Sequence, residues 1–262
     1  MRRLTGWIVA APRRARLRSR ARSIMVAWKL VPLVHWIWRS RRAPLQAGGL
    51  SGTDPVSGRW GLDRGTPIDT YYIERFLAAH ADDIRGRVLE VGTDTYTIRF
   101  GGSAVTRSDV LHVGPGNPRA TIVGDLATGD GIPEGLFDCL IVTNTLQLIF
   151  DLRGALATCA RALKPAGVLL AHFPGITRNT VEWGPPGWNG AGDLWRLTSA
   201  AASQLCAERF GPEHVTIEAH GNVRVAAALL YGLAAEDLSG AELELRDPRY
   251  DVIVMARAIK PG

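Results

Sequence analysis

From residue 84 onward, short apolar runs alternate with stretches whose apolar positions recur every three or four residues. The runs are Arg87 to Val91, Ala104 to Val110, Ala120 to Val123, Phe137 to Val142, Val168 to Phe173, His214 to Ala219 and Tyr250 to Ala258. Phe137 to Val142 and Val168 to Phe173 are continuous rather than alternating, the pattern of strands covered on both faces. Between them, Leu152, Leu156, Cys159, Ala160 and Leu163 keep helical spacing until Lys164-Pro165-Ala166-Gly167 ends the run. A second apolar helix is read over Val225 to Leu233. Strand and helix in alternation, joined by short links, predict an α/β fold: a doubly wound, mostly parallel seven-stranded sheet with helices on both faces.

Upstream, Ala47 to Arg64 is rich in Gly, Ser, Pro and Asp and reads as a linker. Thr66-Pro67-Ile68-Asp69 follows as a helix start. Thr66 is placed to cap, Pro67 to take the first helical position, and Asp69 to return the capping bond. Helical spacing continues through Tyr71, Ile73, Phe76 and Leu77 to about Ala81. Three segments result: an N-terminal helical arm over 1–50, a linker with a lid-like helix over 51–83, and the α/β domain over 84–262.

Charge sharpens that division. Residues 1–50 hold 12 Lys and Arg and no Asp or Glu, leaving 19 basic and 25 acidic residues after them, so the overall charge of +6 conceals an acidic body. The arm's apolar run, Ile24 to Trp38, is 15 residues long and includes Lys29, Pro32 and His35, against the ~20 apolar residues a spanning helix needs. With Trp28, Trp36 and Trp38 between arginines, residues 24–38 suit peripheral contact with a membrane surface, or packing on the main domain or a partner. The Met1-Arg2-Arg3 start is too short in its apolar part for a secretory signal, so a cytoplasmic, membrane-peripheral location is expected. Nucleic acid is not an expected partner, because the body is acidic and carries no recognition motif. Cys139, Cys159 and Cys206 are too scattered for a disulfide framework or a metal knuckle, and no metal is expected.

Ligands on such sheets bind beyond the carboxyl ends of the strands. The first strand ends Leu89-Glu90-Val91-Gly92-Thr93-Asp94-Thr95. Asp94 stands where a dinucleotide fingerprint needs its second glycine, and a carboxylate there disfavours a pyrophosphate. A phosphate-free nucleoside is compatible with it. Asp109 lies 17 residues past Gly92, near the offset of about 20 at which an acid meets ribose hydroxyls. Asp125 follows the third strand, within reach of an adenine amino group.

These segments resemble the class I S-adenosylmethionine-dependent methyltransferases from about Asp54 to the C-terminus. Val88-Leu89-Glu90-Val91-Gly92 looks like the family's first motif, Ser108-Asp109-Val110 its second and Gly124-Asp125-Leu126 its third. Phe137 to Gln147 resembles the fourth, Arg161 to Leu170 the turn and fifth strand, and Asp193 to Thr198 the segment before the next helix. The resemblance implies S-adenosyl-L-methionine as cofactor, held by Glu90, Gly92, Thr93, Asp94, Asp109, Val110, Asp125, Leu126, Asn144 and Gln147, with Tyr71 and Tyr72 folding over it from the lid-like helix. Trp60 to Glu74 is similar to a bacterial subgroup often found beside glycosyltransferases, which implies O-methylation of a small molecule, sugar or glycosylated acceptor. His172 is the candidate catalytic base, with Asp193 and His220 behind it. Trp183, Trp188, Trp195 and Arg196 are the candidate acceptor contacts. Departures from the family pattern are Thr93-Asp94 for the usual second glycine, Gln147-Leu148 for Glu-His, and Ala166 in the turn. They keep open a catalytically inactive, cofactor-binding scaffold that partners a glycosyltransferase.

Overall fold

The computed structural model describes residues 52–180 and 192–262. The arm over 1–50, with its membrane-contact segment 24–38, and Trp183 and Trp188 lie outside the described residues.

The strands are β1 (Gly86–Val91), β2 (Val105–His112), β3 (Ile122–Val123), β4 (Phe137–Val142), β5 (Leu163–Pro174), β6 (Val215–His220) and β7 (Ile253–Ile259). They form one seven-stranded sheet in the order β3-β2-β1-β4-β5-β7-β6. β1 to β5 run parallel, and β7 is antiparallel to both its neighbours. The helices are α1 (Ile68–Ala79), α2 (Leu152–Ala162), α3 (Ser199–Phe210), α4 (Val223–Leu230) and the one-turn α5 (Gly240–Glu244). This is the predicted doubly wound sheet. Its chain order reverses between β1 and β4, which creates the crevice where ligands bind in such folds.

The core follows from the continuous apolar runs. Phe137, Cys139, Leu140, Ile141 and Val142 of β4, and Leu169, Leu170, Ala171 and Phe173 of β5, are all buried. Helices α2 and α3 cover one face through Leu156, Cys159, Cys206 and Phe210. The three cysteines are free and buried, as small core residues. Asp151 caps α2 by accepting from the Gly154 N–H, and Asn222 caps α4 by accepting from the N–H groups of Arg224 and Val225.

Two local expectations fail. The start of α1 has no side-chain cap. Thr66 instead donates both its N–H and its hydroxyl to Glu236, and Asp69 accepts from the adjacent Thr70 N–H. A tertiary partner has taken Thr66, and the neighbouring residue has taken Asp69. Residues 56–64, within the segment read as linker, are a strap fixed to the body: the Val56 N–H donates to the Tyr231 carbonyl, Arg64 pairs with Asp237, and Arg178 donates to the carbonyls of Ser57 and Gly58. β2 also runs to His112, two residues beyond its expected end, which moves the mouth of the crevice relative to Asp109.

Candidate functional site

Gly92 leaves β1 with φ +79, a conformation that L side chains rarely adopt. A Cβ built there meets nothing within 4 Å, so the backbone is bared to open space beyond the strand end. Glu90, buried at the end of β1, accepts from the N–H groups of Tyr96 and Thr97 and so folds the loop after Gly92 into a helical turn. Burial pushes the Glu90 carboxyl above its ordinary value, partly offset by those bonds. Glu90 thus shapes the loop, and its oxygens are taken up in doing so.

Asp109 is not at the strand end. It pairs in register with Leu89, three residues before His112, and is 1% exposed. Its carboxylate accepts from Arg87 Nε at 2.7 Å and the Thr121 hydroxyl at 3.0 Å, with Arg107 Nε at 3.3 Å. Burial alone would raise its pKa, but the hydrogen bonds from Arg87 and Thr121 prevail and hold it below the usual carboxylate value. The ribose role inferred from spacing therefore does not suit Asp109, which pins β1, β2 and β3 together beneath the crevice. Val110 is likewise buried within the strand. The residue at the rim is His112, whose Nδ1 lies 2.7 Å from the Gly114 carbonyl oxygen.

Around Gly92 the β2–β3 loop closes a clasp. Asn117 donates to the Gly92 carbonyl at 2.8 Å, and Arg119 pairs with Asp94 at 2.9 Å. The Thr93 hydroxyl lies 2.7 Å from that of Thr95. Asp125 is just past β3, where its Oδ1 accepts from the Ala127 N–H; Leu126 beside it is buried. Tyr71 and Tyr72 do not reach the crevice. The Tyr72 hydroxyl donates to the Leu243 carbonyl while its ring stacks on His220, and Tyr71 bonds Glu244 and Arg75. The lid role is corrected by their packing against α5 and β6, and His220, stacked there on Tyr72, does not line the cavity at the ends of β4 and β5.

Between the ends of β4 and β5 lies a cavity of about 40 Å³, lined among others by Trp60, Asp69, Asn144, Gln147, His172 and Asp193. Among its walls, Gln147 Oε1, both ring nitrogens of His172 and Asp193 Oδ1 are buried without a hydrogen-bond partner. Buried polar atoms left so are uncommon and mark places where a ligand or water belongs. Burial drives the His172 pKa down to about 3, so its imidazole is neutral at physiological pH. Asp193 is held by Arg196 at 2.7 Å and by the N–H and hydroxyl of Thr180. Arg196 spends its other donors on the carbonyls of Thr177, Trp195 and Arg178 and on the Asn179 side chain. It braces the loop walls, which leaves little of it for an acceptor. Trp195 faces away: its indole N–H donates to the Ile149 carbonyl, and its ring lines a separate groove of about 510 Å³ beside Phe150, Leu152 and Leu205.

Sequence reasoning missed Asp69, Trp60 and Thr180 as cavity walls. Asp69 gave a misleading signal, because a first-turn carboxylate after Thr-Pro is what a capping box looks like. Trp60 and Thr180 gave none, since each arrives from a loop.

The strand ends are compatible with a nucleoside carrying no phosphate. Gly92 offers bare backbone at the switch point, no phosphate loop is present there, and orphaned polar atoms face the neighbouring cavity. Among the described residues no cluster of His, Cys, Asp or Glu could hold a metal, and no helix is long and apolar enough to cross a membrane. Residues 78–171 match a family model described as a methyltransferase domain. A search of curated proteins finds no match. Solved structures with a similar course include an S-adenosylmethionine-dependent methyltransferase from Mesorhizobium loti (12% identity, 74% of this chain and 98% of that one, TM-score 0.47). Another, from Archaeoglobus fulgidus, has 10% identity over 72% of this chain and 94% of that one, with TM-score 0.46. The N-methyltransferase NodS from Bradyrhizobium japonicum, in complex with S-adenosyl-L-homocysteine, has 14% identity, 81% and 95% coverage, and TM-score 0.44. Over residues 78–171, which span β1 to β5, the chain is therefore similar to a methyltransferase domain.

Proposed function

We propose that the protein transfers a methyl group from S-adenosylmethionine to a hydroxyl of a small sugar or glycosylated acceptor, and that His172 receives the hydroxyl proton. The observation that carries this reading is the neutral His172 imidazole, with both nitrogens unpartnered, at the wall of a cavity beside the crevice. The bound cofactor supplies an electrophilic methyl group on a sulfonium. The protein's part is to hold an oxygen in line with it, and such positioning is worth up to about 7–11 kcal/mol in well-oriented reactions. A neutral imidazole accepts a hydrogen bond from the hydroxyl. A base weakened to a pKa of about 3 would still suffice, because the hydroxyl proton becomes strongly acidic once its oxygen is alkylated. Gln147 Oε1 and Asp193 Oδ1 can accept from neighbouring hydroxyls, which favours a polyol over an apolar phenol. A cavity of about 40 Å³ admits one hydroxyl-bearing corner of such an acceptor.

The test is a screen of sugars and glycosylated compounds with the full chain and S-adenosylmethionine, read by mass spectrometry for a gain of one methylene unit. Methylation of hydroxyl acceptors that is lost in His172→Ala supports the assignment. Turnover only on amines or thiols contradicts it. A second reading, a cofactor-binding scaffold that partners a glycosyltransferase, draws on the Asp94–Arg119 clasp and on the imidazole at the rim of β2. It predicts cofactor binding without turnover on any acceptor. Peripheral membrane contact through residues 24–38 is part of the same proposal and would bring the enzyme to lipid-linked sugars; sedimentation with anionic vesicles, with and without residues 1–50, tests it.

A further inference from the structure

Asp69 is held only by uncharged groups, the Thr70 N–H and the Asn144 side chain. It sits in the first turn of α1 without capping it, and its carboxylate lines the cavity at the strand ends. The Thr70 N–H donates to it at 2.7 Å, and the side-chain amide of Asn144, just past β4, lies close by. Among the described residues no Lys, Arg or His is within ion-pair distance of it, whereas Asp109, Asp138 and Asp193 each have a cation. Leaving a desolvated carboxylate without a counter-charge is costly, and such groups persist where a ligand supplies the missing charge. The same cavity holds a second, independent sign of a ligand: Gln147 Oε1 and His172, which are 5% and 1% exposed and have no partner for those atoms.

The side of the cavity on which Asp69 stands tells which ligand group it meets. His172 and Asp193 belong to the β5 side. Asp69 lies by Asn144 on the β4 side, and its charge is felt by Tyr96, in the turn that Glu90 fixes immediately after Gly92. It therefore looks onto the gap between β1 and β4, the switch point itself. Of the groups a methyl donor carries, only the α-ammonium of its amino-acid end is a cation with N–H donors; the sulfonium has none.

We propose that Asp69 binds the α-ammonium of S-adenosylmethionine, so that α1 is part of the cofactor site through this residue rather than through its tyrosines. The proposal rests on the methyltransferase reading of the crevice. Asp69 would hold the ammonium on the β4 side of the cavity, opposite the β5 side that carries His172. It also ties the seating of α1, and of the strap that precedes it, to cofactor occupancy.

The experiment is a double cycle by calorimetric titration. S-adenosylhomocysteine and its desamino analogue, which loses only the ammonium, are titrated into the full chain and into Asp69→Asn. With the unmodified protein, loss of the ammonium is expected to weaken binding about ten- to a hundred-fold, the range of a charge-assisted hydrogen bond. In Asp69→Asn, S-adenosylhomocysteine falls by a similar factor and the desamino analogue is nearly unchanged. The thermal melt of the ligand-free variant should not lie below that of the unmodified protein, since a desolvated charge has been removed. Equal weakening of both ligands by Asp69→Asn, or full sensitivity to the ammonium persisting in it, overturns the proposal. The measurement on the unmodified protein alone decides the matter if the variant does not fold, because indifference to the ammonium refutes any such anchor. Binding of neither ligand by the unmodified protein would instead overturn the cofactor reading of the crevice, which separates the two failures.

Discussion

Replacing Asp109 by Ala should destabilise the fold and leave cofactor affinity nearly intact. The carboxylate is 1% exposed and accepts from Arg87 Nε at 2.7 Å and the Thr121 hydroxyl at 3.0 Å. A charge-assisted bond of the first kind is worth about 1.5–3 kcal/mol and a neutral one of the second about 1 kcal/mol. Arg107, with its side chain 61% exposed, adds only a few tenths of a kcal/mol. Relief of the carboxylate's own desolvation offsets part of the loss, which leaves a net cost of about 2–3 kcal/mol. For a domain of this size that lowers the melting temperature by roughly 4–12 °C. The assay is a thermal melt of the variant beside a titration with S-adenosylhomocysteine. Acid adds a second readout. The folded pKa of Asp109 is lowered, so its contribution is present above the unfolded value of about 3.9 and is lost as pH falls through the folded one. The variant should lack that acid-sensitive increment. An unchanged melt together with a tenfold or greater loss of affinity would return Asp109 to the ligand.

Further outcomes follow from the same geometry. His172 is neutral in the fold with a pKa of about 3, against about 6.5 unfolded, so its stabilising contribution is full above about pH 6.5 and erodes as pH falls toward 3. At about pH 5 that erosion is about 2 kcal/mol, and urea melts of His172→Gln should show a flatter pH dependence. Gly92→Ala places a side chain where φ is +79 and fills the space in front of the strand end. It should cost about 1–2 kcal/mol of stability and, in a titration, at least tenfold in S-adenosylhomocysteine affinity. Arg119→Ala removes a largely exposed partner of Asp94, so chemical denaturation should show a change of under about 1 kcal/mol.

The sheet was legible in the sequence because its central strands are buried on both faces: Phe137 to Val142 and Val168 to Phe173 admit no other placement. Gly92 was legible as a turn glycine closing a buried strand, which its φ of +79 bears out. Strand ends were less so. The end of β2 depends on its pairing, with the Gly92 N–H donating to the Leu111 carbonyl, and that bond extends the strand past Asp109 to His112. Counting residues from Gly92 found an acid at 17 and overlooked the rim residue at 20. Local rules also misread Thr66 and Asp69, whose partners, Glu236 and the cavity at the strand ends, come from distant segments. Tyr71 and Tyr72 erred in the same way, because helical periodicity gives the face of α1 but not the element that the face meets.

The proposed cofactor site is the crevice between β1 and β4, taken to receive a phosphate-free adenosyl amino acid. Calorimetry of the full chain with S-adenosylmethionine and, separately, with NAD tests it most directly. One-to-one binding of the first and none of the second is the predicted result; binding of NAD alone would contradict the claim.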